Sequence, residues 1–133
     1  LLLALAWMGV IFYLSHQPSL PAPSLFEHQD KLFHVGAYGL LGLLLAVALH
    51  RPARPGRALL VVWLLGTFYG LADEFHQSFI PGRDTDSLDV LADSVGALLG
   101  GLAGALFMRH LQALPTDTVS SRGWRRRTPG RRD

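Results

Sequence analysis

The chain has 133 residues, of which 50% are hydrophobic and 17% are charged, and its mean hydropathy is +0.28. Soluble domains usually carry about 25% charged residues, so this composition favours a membrane protein. The absence of cysteine excludes disulfides, thiolate metal ligands and thiol nucleophiles, and a net charge of only +2 argues against a nucleic-acid binder.

Four apolar segments follow one another along the chain, at about residues 1–14, 32–49, 58–75 and 88–108. The last three have the length of a membrane-spanning helix, which needs about 17 to 25 residues. The first segment is short and begins without Met, so we interpret it as a helix whose first turn is missing. A cleaved signal peptide is the alternative, although SHQPSL is a poor cleavage site.

Basic residues give the predicted orientation, because Lys and Arg beside short loops stay in the cytoplasm. Ten of the 12 lie in the loop HRPARPGR at 50–57 or after residue 108, and only Lys31 and Arg83 lie elsewhere. Four spans put both basic regions on one side of the membrane. The loops around Lys31 and Arg83 are then expected to face outward.

The predicted fold is therefore all-α, a four-helix transmembrane bundle in the cell membrane with both termini in the cytoplasm. We expect the membrane domain to cover residues 1–112. Residues 113–133 are rich in Arg, Gly, Pro and Ser, which predicts a disordered basic cytoplasmic tail. Such a polybasic tail attracts anionic lipid.

Acidic residues concentrate at the predicted outer ends of the helices. Asp73 and Glu74 end the third apolar segment, and Asp89 and Asp93 lie in the first turns of the fourth. An ionisable group at that depth is costly unless it is paired, hydrated or bound to a metal, so each marks a candidate functional site.

Helical wheels place these polar residues on the same faces as glycines. The shared stripes are Asp86, Asp89, Asp93, Gly96, Gly100 and Gly104 in the fourth segment, Gly66, Gly70, Asp73 and Gln77 in the third, and Asp30, His34 and Tyr38 in the second. Glycines at four-residue spacing let membrane helices approach closely. We therefore expect the stripes to face inward and to bring the polar residues together in one outward-opening pocket.

Two stretches, DKLFHVGAYGLLGLLL at 30–45 and DEFHQSFIPGRDTDSLDVLADSVGALLG at 73–100, resemble the VanZ-like family of small bacterial membrane proteins. The SHQPSL stretch after the first segment belongs to the resemblance, which implies a four-helix integral membrane domain and an association with low-level teicoplanin resistance. The residues that the family pattern carries over are Asp30, Lys31, His34, Tyr38, Asp73, Glu74, Gln77, Pro81, Gly82, Arg83, Asp89 and Asp93.

The chemistry of this set suits a hard metal ion and an anionic ligand, because carboxylates and imidazole bind Mg, Mn, Ca or Zn. The expected metal ligands are Asp30, His34, Asp73, Glu74, Asp89 and Asp93. The expected catalytic residues are Asp30, His34, Asp73, Glu74 and Asp89, and the expected substrate-binding residues are Lys31, Tyr38, Gln77 and Arg83. The Arg83 guanidinium can grip phosphate in bidentate fashion, and we expect it to contact an acid in the absence of ligand.

Two functions are compatible with these residues. In the first, the protein binds or acts on a membrane lipid, a lipid-linked cell-wall precursor or a glycopeptide from the extracytoplasmic side, with a divalent cation as cofactor. In the second, it is a non-catalytic membrane component whose polar residues are structural or bind a partner protein. No G-x-S-x-G, H-E-x-x-H or P-loop signature is present, so the sequence does not decide whether the protein is an enzyme.

The orientation is testable by labelling introduced cysteines in intact cells, since the chain has none of its own. Cysteines at Ser19 and Thr85 should react with an impermeant thiol reagent added outside, because both loops are predicted to face outward. Cysteines at Ala53 and Ser121 should react only after the membrane is permeabilised. Labelling of the Ala53 variant from outside would show that the topology is wrong.

Overall fold

Four helices account for most of the chain in a computed structural model, which describes residues 1–18, 26–83 and 85–114. They are α1 (Leu2–Ser15), α2 (Gln29–Ala48), α3 (Pro55–Gln77) and α4 (Ser87–Ala113). The described residues contain no strand, so the all-α prediction is confirmed. The tail predicted over 113–133 lies, from residue 115 onward, outside the described residues.

Three of these helices, α2, α3 and α4, are long and apolar enough to cross a membrane, whereas α1 is a shorter apolar helix. They begin earlier or end later than the apolar segments of the sequence, so their polar end residues are helical. Pro55 opens α3, where a missing N–H costs nothing. Asp86 caps α4 and accepts a hydrogen bond from the Leu88 N–H at 2.9 Å.

Helix α4 makes its most extensive contacts with α2, and glycines allow the two backbones to touch. A Cβ atom added at Gly100 would collide with the carbonyl group of Gly39, and one at Gly42 would collide with the carbonyl of Ala97. Helices in lipid gain little from hydrophobic burial, so this close van der Waals packing is what holds them together. The predicted inward orientation of the glycines is correct.

Helix α3 packs against another face of α4. Gly70 lies so close to Asp93 that an added Cβ would come within 2.7 Å of its carboxylate. Deeper in the membrane, Ser94 accepts hydrogen bonds from Trp63 Nε1 at 2.9 Å and from Thr67 Oγ1 at 3.0 Å. These bonds satisfy side-chain donors away from water and join α3 to α4.

Helix α1 is joined to α2 and α3 by side-chain hydrogen bonds. The indole Nε1 of Trp7 donates to the carbonyl of Ala37 at 2.8 Å, and the Tyr69 hydroxyl donates to the carbonyl of Met8 at 2.7 Å. Ile11 is buried between them. The helix is thus fixed at its middle by bonds to two neighbours.

The importance of the glycine contact is testable by comparing Gly100→Ala with Gly9→Ala. Gly100→Ala places a Cβ against the Gly39 backbone. Because a backbone cannot move aside as a flexible side chain can, this variant should be destabilised by about 1–3 kcal/mol. At Gly9 a Cβ meets nothing within 4 Å, and alanine should be neutral or stabilise α1 by up to about 1 kcal/mol. Thermal unfolding in detergent measures both, and equal midpoints would contradict this packing.

Candidate functional site

The start of α2, the end of α3 and the start of α4 meet at one end of the bundle and form a polar cluster. Its members are Lys31, His34, Glu74, Asp86, Asp89 and Asp93. The Lys31 ammonium is its centre of positive charge. It lies 2.8 Å from Asp30, 2.6 Å from Asp86 and 2.5 Å from Asp89. One cation therefore ties α2 to the N-terminal end of α4.

The acids around Lys31 differ in exposure. The side chain of Asp89 is 10% exposed, whereas that of Asp30 is 59% exposed and lies on the rim. Asp86 lies just before α4, and its hydrogen bonds from Lys31 and the Leu88 N–H hold the pKa of its carboxyl below the ordinary 3.8. The ionised Asp86 carboxylate stabilises the folded protein fully at pH values above 3.8, and this stabilisation is lost as the pH falls through the lowered pKa.

His34 lies between two carboxylates that are one turn apart on α4. Its Nδ1 is hydrogen-bonded to Asp93 Oδ1 at 2.8 Å, and its Nε2 lies 3.8 Å from Asp89 Oδ2. Asp93 is fully buried, and its Oδ2 has no partner among the described residues. The Asp93 contact orients the ring so that Nε2 faces Asp89.

Glu74 brings α3 into the same cluster. Its side chain is buried, and Oε2 accepts a hydrogen bond from the Asp86 N–H at 3.2 Å. Its Oε1 is buried and finds no partner in the described part of the chain. One ligand atom each from His34, Glu74 and Asp89 all lie within 4.8 Å of one another, a grouping that can hold a metal ion.

Asp73 faces another direction from Glu74, because neighbouring residues on a helix point about 100° apart. Its Oδ2 accepts hydrogen bonds from Ser15 Oγ at 2.6 Å and from Gln77 Nε2 at 3.3 Å. Asp73 thus joins the end of α1 to α3. Nearby, His16 and His76 join the same two helices, with Nδ1 and Nε2 3.2 Å apart.

A cleft of about 530 Å³ opens between α1 and α2 beside the polar cluster. We call it the α1–α2 cleft. Its walls are mostly apolar, and its polar lining residues are Ser15, His34, Tyr38, Asp73, Gln77 and Arg83. The Tyr38 hydroxyl and Arg83 Nε are buried without a hydrogen-bond partner among the described residues.

The expected single pocket is therefore two adjoining sites. Lys31, His34, Glu74, Asp89 and Asp93 meet in the polar cluster, whereas Asp73, Gln77, Tyr38 and Arg83 line the α1–α2 cleft with His34 between the two. Asp30 is exposed at the rim of the polar cluster, which it contacts through Lys31. Of the expected metal ligands, Asp30, Asp73 and Asp93 lie outside the three-residue group that can hold a metal.

One contact expected from the sequence is not found. Arg83 forms no ion pair with any acid in residues 1–18, 26–83 and 85–114, because its side chain lines the cleft. The preceding turn has Gly82 at a φ of 86°, a left-handed conformation that favours glycine.

Two residues of the site are absent from the candidates chosen from the sequence. The sequence pattern puts Asp86 on the stripe of α4 only, although it contacts both Lys31 and Glu74. For Ser15 the available signal is its place at the start of the SHQPSL stretch. A lone serine at a helix end carries no periodic pattern that marks it as the partner of Asp73.

These features define a helical membrane protein with buried charged groups at one end of its bundle. The family model described as VanZ/LLP1 matches residues 1–108, and the chain belongs to this family. It is 33% identical over 98 residues to an uncharacterized protein of Schizosaccharomyces pombe, an alignment that covers 74% of this chain and 57% of that relative. The chain thus spans less than two-thirds of the relative's length. No solved structure matches the chain.

The role of burial in the cluster is testable because Lys31 contacts both an exposed and a buried carboxylate. Asp89→Asn removes the buried carboxylate that pairs with Lys31 and should cost about 3 kcal/mol of unfolding free energy. Asp30→Asn removes an exposed partner of the same cation and should cost less than about 1 kcal/mol. Unfolding in detergent compares the two, and an equal or larger loss for Asp30→Asn would contradict the assignment.

Proposed function

We propose that this VanZ-family protein binds an anionic cell-envelope lipid or lipid-linked precursor at the outer face of the membrane, with a divalent cation held by His34, Glu74 and Asp89. One observation carries the proposal. Three helices converge to place an imidazole nitrogen and two carboxylate oxygens within 4.8 Å of one another, and a buried oxygen of Glu74 there has no partner among the described residues.

The geometry around His34 supports a metal ligand. Metal-binding histidines commonly use one ring nitrogen for the metal and donate the other N–H to a carboxylate. His34 Nδ1 is bonded to Asp93 in this way, which leaves Nε2 for a metal ion. Two ligands about 2.1 Å from a metal lie at most about 4.2 Å apart, and His34 Nε2 and Asp89 Oδ2 are 3.8 Å apart.

The ligand set also narrows the choice of metal. One imidazole with two carboxylates suits Zn or Mn better than Ca, which prefers six to eight oxygen ligands. Such an ion would supply Lewis acidity toward a phosphate or carbonyl oxygen. The residues do not define a particular reaction, and the proposal concerns binding.

Arg83 is the group that favours an anionic ligand. Lys31 already contacts three carboxylates, so its charge is satisfied within the protein. Arg83 Nε is buried, lines the cleft and lacks a partner among the described residues. A guanidinium in that state favours a phosphate or carboxylate group.

The size of the cleft bears on the link to antibiotic resistance that the family resemblance implies. A volume of about 530 Å³ is that of a site for one small ligand or one chain. A whole glycopeptide is much larger. We therefore propose that any contribution to teicoplanin resistance acts through an envelope lipid or precursor.

The alternative is a structural role for the polar cluster, and one observation favours it. The Lys31 ammonium bridges Asp30, Asp86 and Asp89 without any ligand, and so joins α2 to α4 by itself. A protein of this kind would act as a membrane component that binds a partner protein. The two proposals differ in whether metal changes stability.

The proposed metal site is testable by thermal unfolding in detergent with EDTA, Mg, Mn, Ca or Zn. The parent protein should unfold at a higher temperature with Zn or Mn, since an ion at 100 times its Kd adds about 2.7 kcal/mol. Glu74→Gln should abolish this gain. Glu27→Gln, which changes an exposed glutamate outside the cluster, should retain it. A parent protein that no metal stabilises would leave the structural role as the better explanation.

A further inference from the structure

We infer that the α1–α2 cleft holds the hydrocarbon chain of a single-chain lipid phosphate, with the phosphate at Arg83. The inference rests on the proposed function in one respect, namely that the ligand is an anionic lipid. It adds the position of the hydrocarbon chain, the residues that contact it and the end of the cleft that binds the head group.

The walls of the cleft are apolar over most of its length. Trp7, Ile11 and Leu14 form the α1 wall, and Phe33 and Leu40 lie on the α2 wall. Trp7 and Leu14 are seven residues apart, so this wall is about 10 Å long at 1.5 Å per residue. A surface of this shape fits an extended alkyl chain.

Two residues of α1 that line the cleft, Trp7 and Ser15, are hydrogen-bonded to neighbouring helices. These two hydrogen bonds on either side of the cleft, from Trp7 to Ala37 and from Ser15 to Asp73, hold α1 at both levels. Between these levels α2 presents Gly36, where an added Cβ would meet nothing within 4 Å. At Gly100, by contrast, the backbone of Gly39 occupies the space that a side chain would need.

The open side of the cleft faces the hydrocarbon of the bilayer. Leu32, Phe33 and Leu40 line it and are 60%, 52% and 39% exposed, on a helix with the length and composition of a membrane span. A ligand that enters from this side comes out of the lipid phase. A lipid chain is therefore the occupant that the surroundings supply.

The polar end of the cleft selects the head group. Arg83 offers a buried Nε that lacks a partner within the described part of the chain, and Gln77 also lines the cleft. A neutral lipid would leave the Arg83 donor unpaired, whereas a phosphate accepts its hydrogen bonds and matches its charge. Asp73 Oδ1 also lacks a partner among the described residues and can accept a hydrogen bond from a hydroxyl of the head group.

The test uses the full chain in detergent, with hexadecyl phosphate as the probe and native mass spectrometry to count bound molecules. Gly36→Phe fills the cleft, so it should weaken binding of hexadecyl phosphate at least tenfold. Gly9→Phe adds the same ring at another helical glycine with open space, outside the cleft, and should change binding less than twofold. Circular dichroism confirms that both variants fold.

A second pair of measurements examines the head group. The parent should bind hexadecyl phosphate at least tenfold more tightly than hexadecanol, and Arg83→Gln should remove that difference because the charged donor is gone. Equal binding of hexadecanol and hexadecyl phosphate by the parent would overturn the assignment of the phosphate to Arg83. Unchanged hexadecyl phosphate binding in Gly36→Phe would overturn the assignment of the chain to the cleft.

These outcomes are separable from those of the metal experiment. If no metal stabilises the parent, yet Gly36→Phe blocks hexadecyl phosphate, the metal site fails and the cleft assignment stands. If Zn or Mn stabilises the parent and Gly36→Phe still binds the probe normally, the metal site stands and the cleft assignment fails. Gly36→Phe should keep the metal-induced stabilisation, because residue 36 lies outside the three metal-binding residues.

Discussion

The backbone contact between α2 and α4 is the constraint on which the rest of the structure depends. At Gly100 the two helices are so close that an added Cβ would collide with the carbonyl group of Gly39. Since both helices have polar residues about one to three turns toward their N-terminal ends from this contact, Lys31, His34 and Asp89 share a small volume. The ion pairs of the polar cluster are thus a consequence of helix packing as well as a contribution to it.

Some polar groups of the cluster have ion-pair or hydrogen-bond partners, whereas others have none among the described residues. Lys31 has three carboxylate partners, and this part of the cluster is complete within the protein. Glu74 and Asp93 are buried and each keeps an oxygen without a partner among the described residues. Buried polar atoms usually find a partner, so these two are where a ligand, an ion or a proton is needed. This division separates the part of the cluster that is complete within the protein from the part that we propose binds a ligand.

Helix α1 has a different role from the other three. It is joined to the bundle by hydrogen bonds from Trp7 and Ser15 and by one from Tyr69. On α2, the space beside Gly36 is unfilled, because an added Cβ there would meet nothing within 4 Å. The short helix therefore forms one wall of a cleft that the three long helices alone would not enclose.

The sequence by itself determined the helical class, the three long apolar segments and the inward direction of the glycine stripes, because hydropathy and helical period are local properties. It also marked His34, Glu74 and Asp89 as candidate site residues, since ionisable groups within apolar segments stand out. Only the tertiary structure decided that Asp73 and Glu74 serve different sites, that Ser15 binds Asp73 and that Arg83 lines a cleft. These contacts depend on the rotation and separation of whole helices, which all the packing contacts set together and no local pattern records.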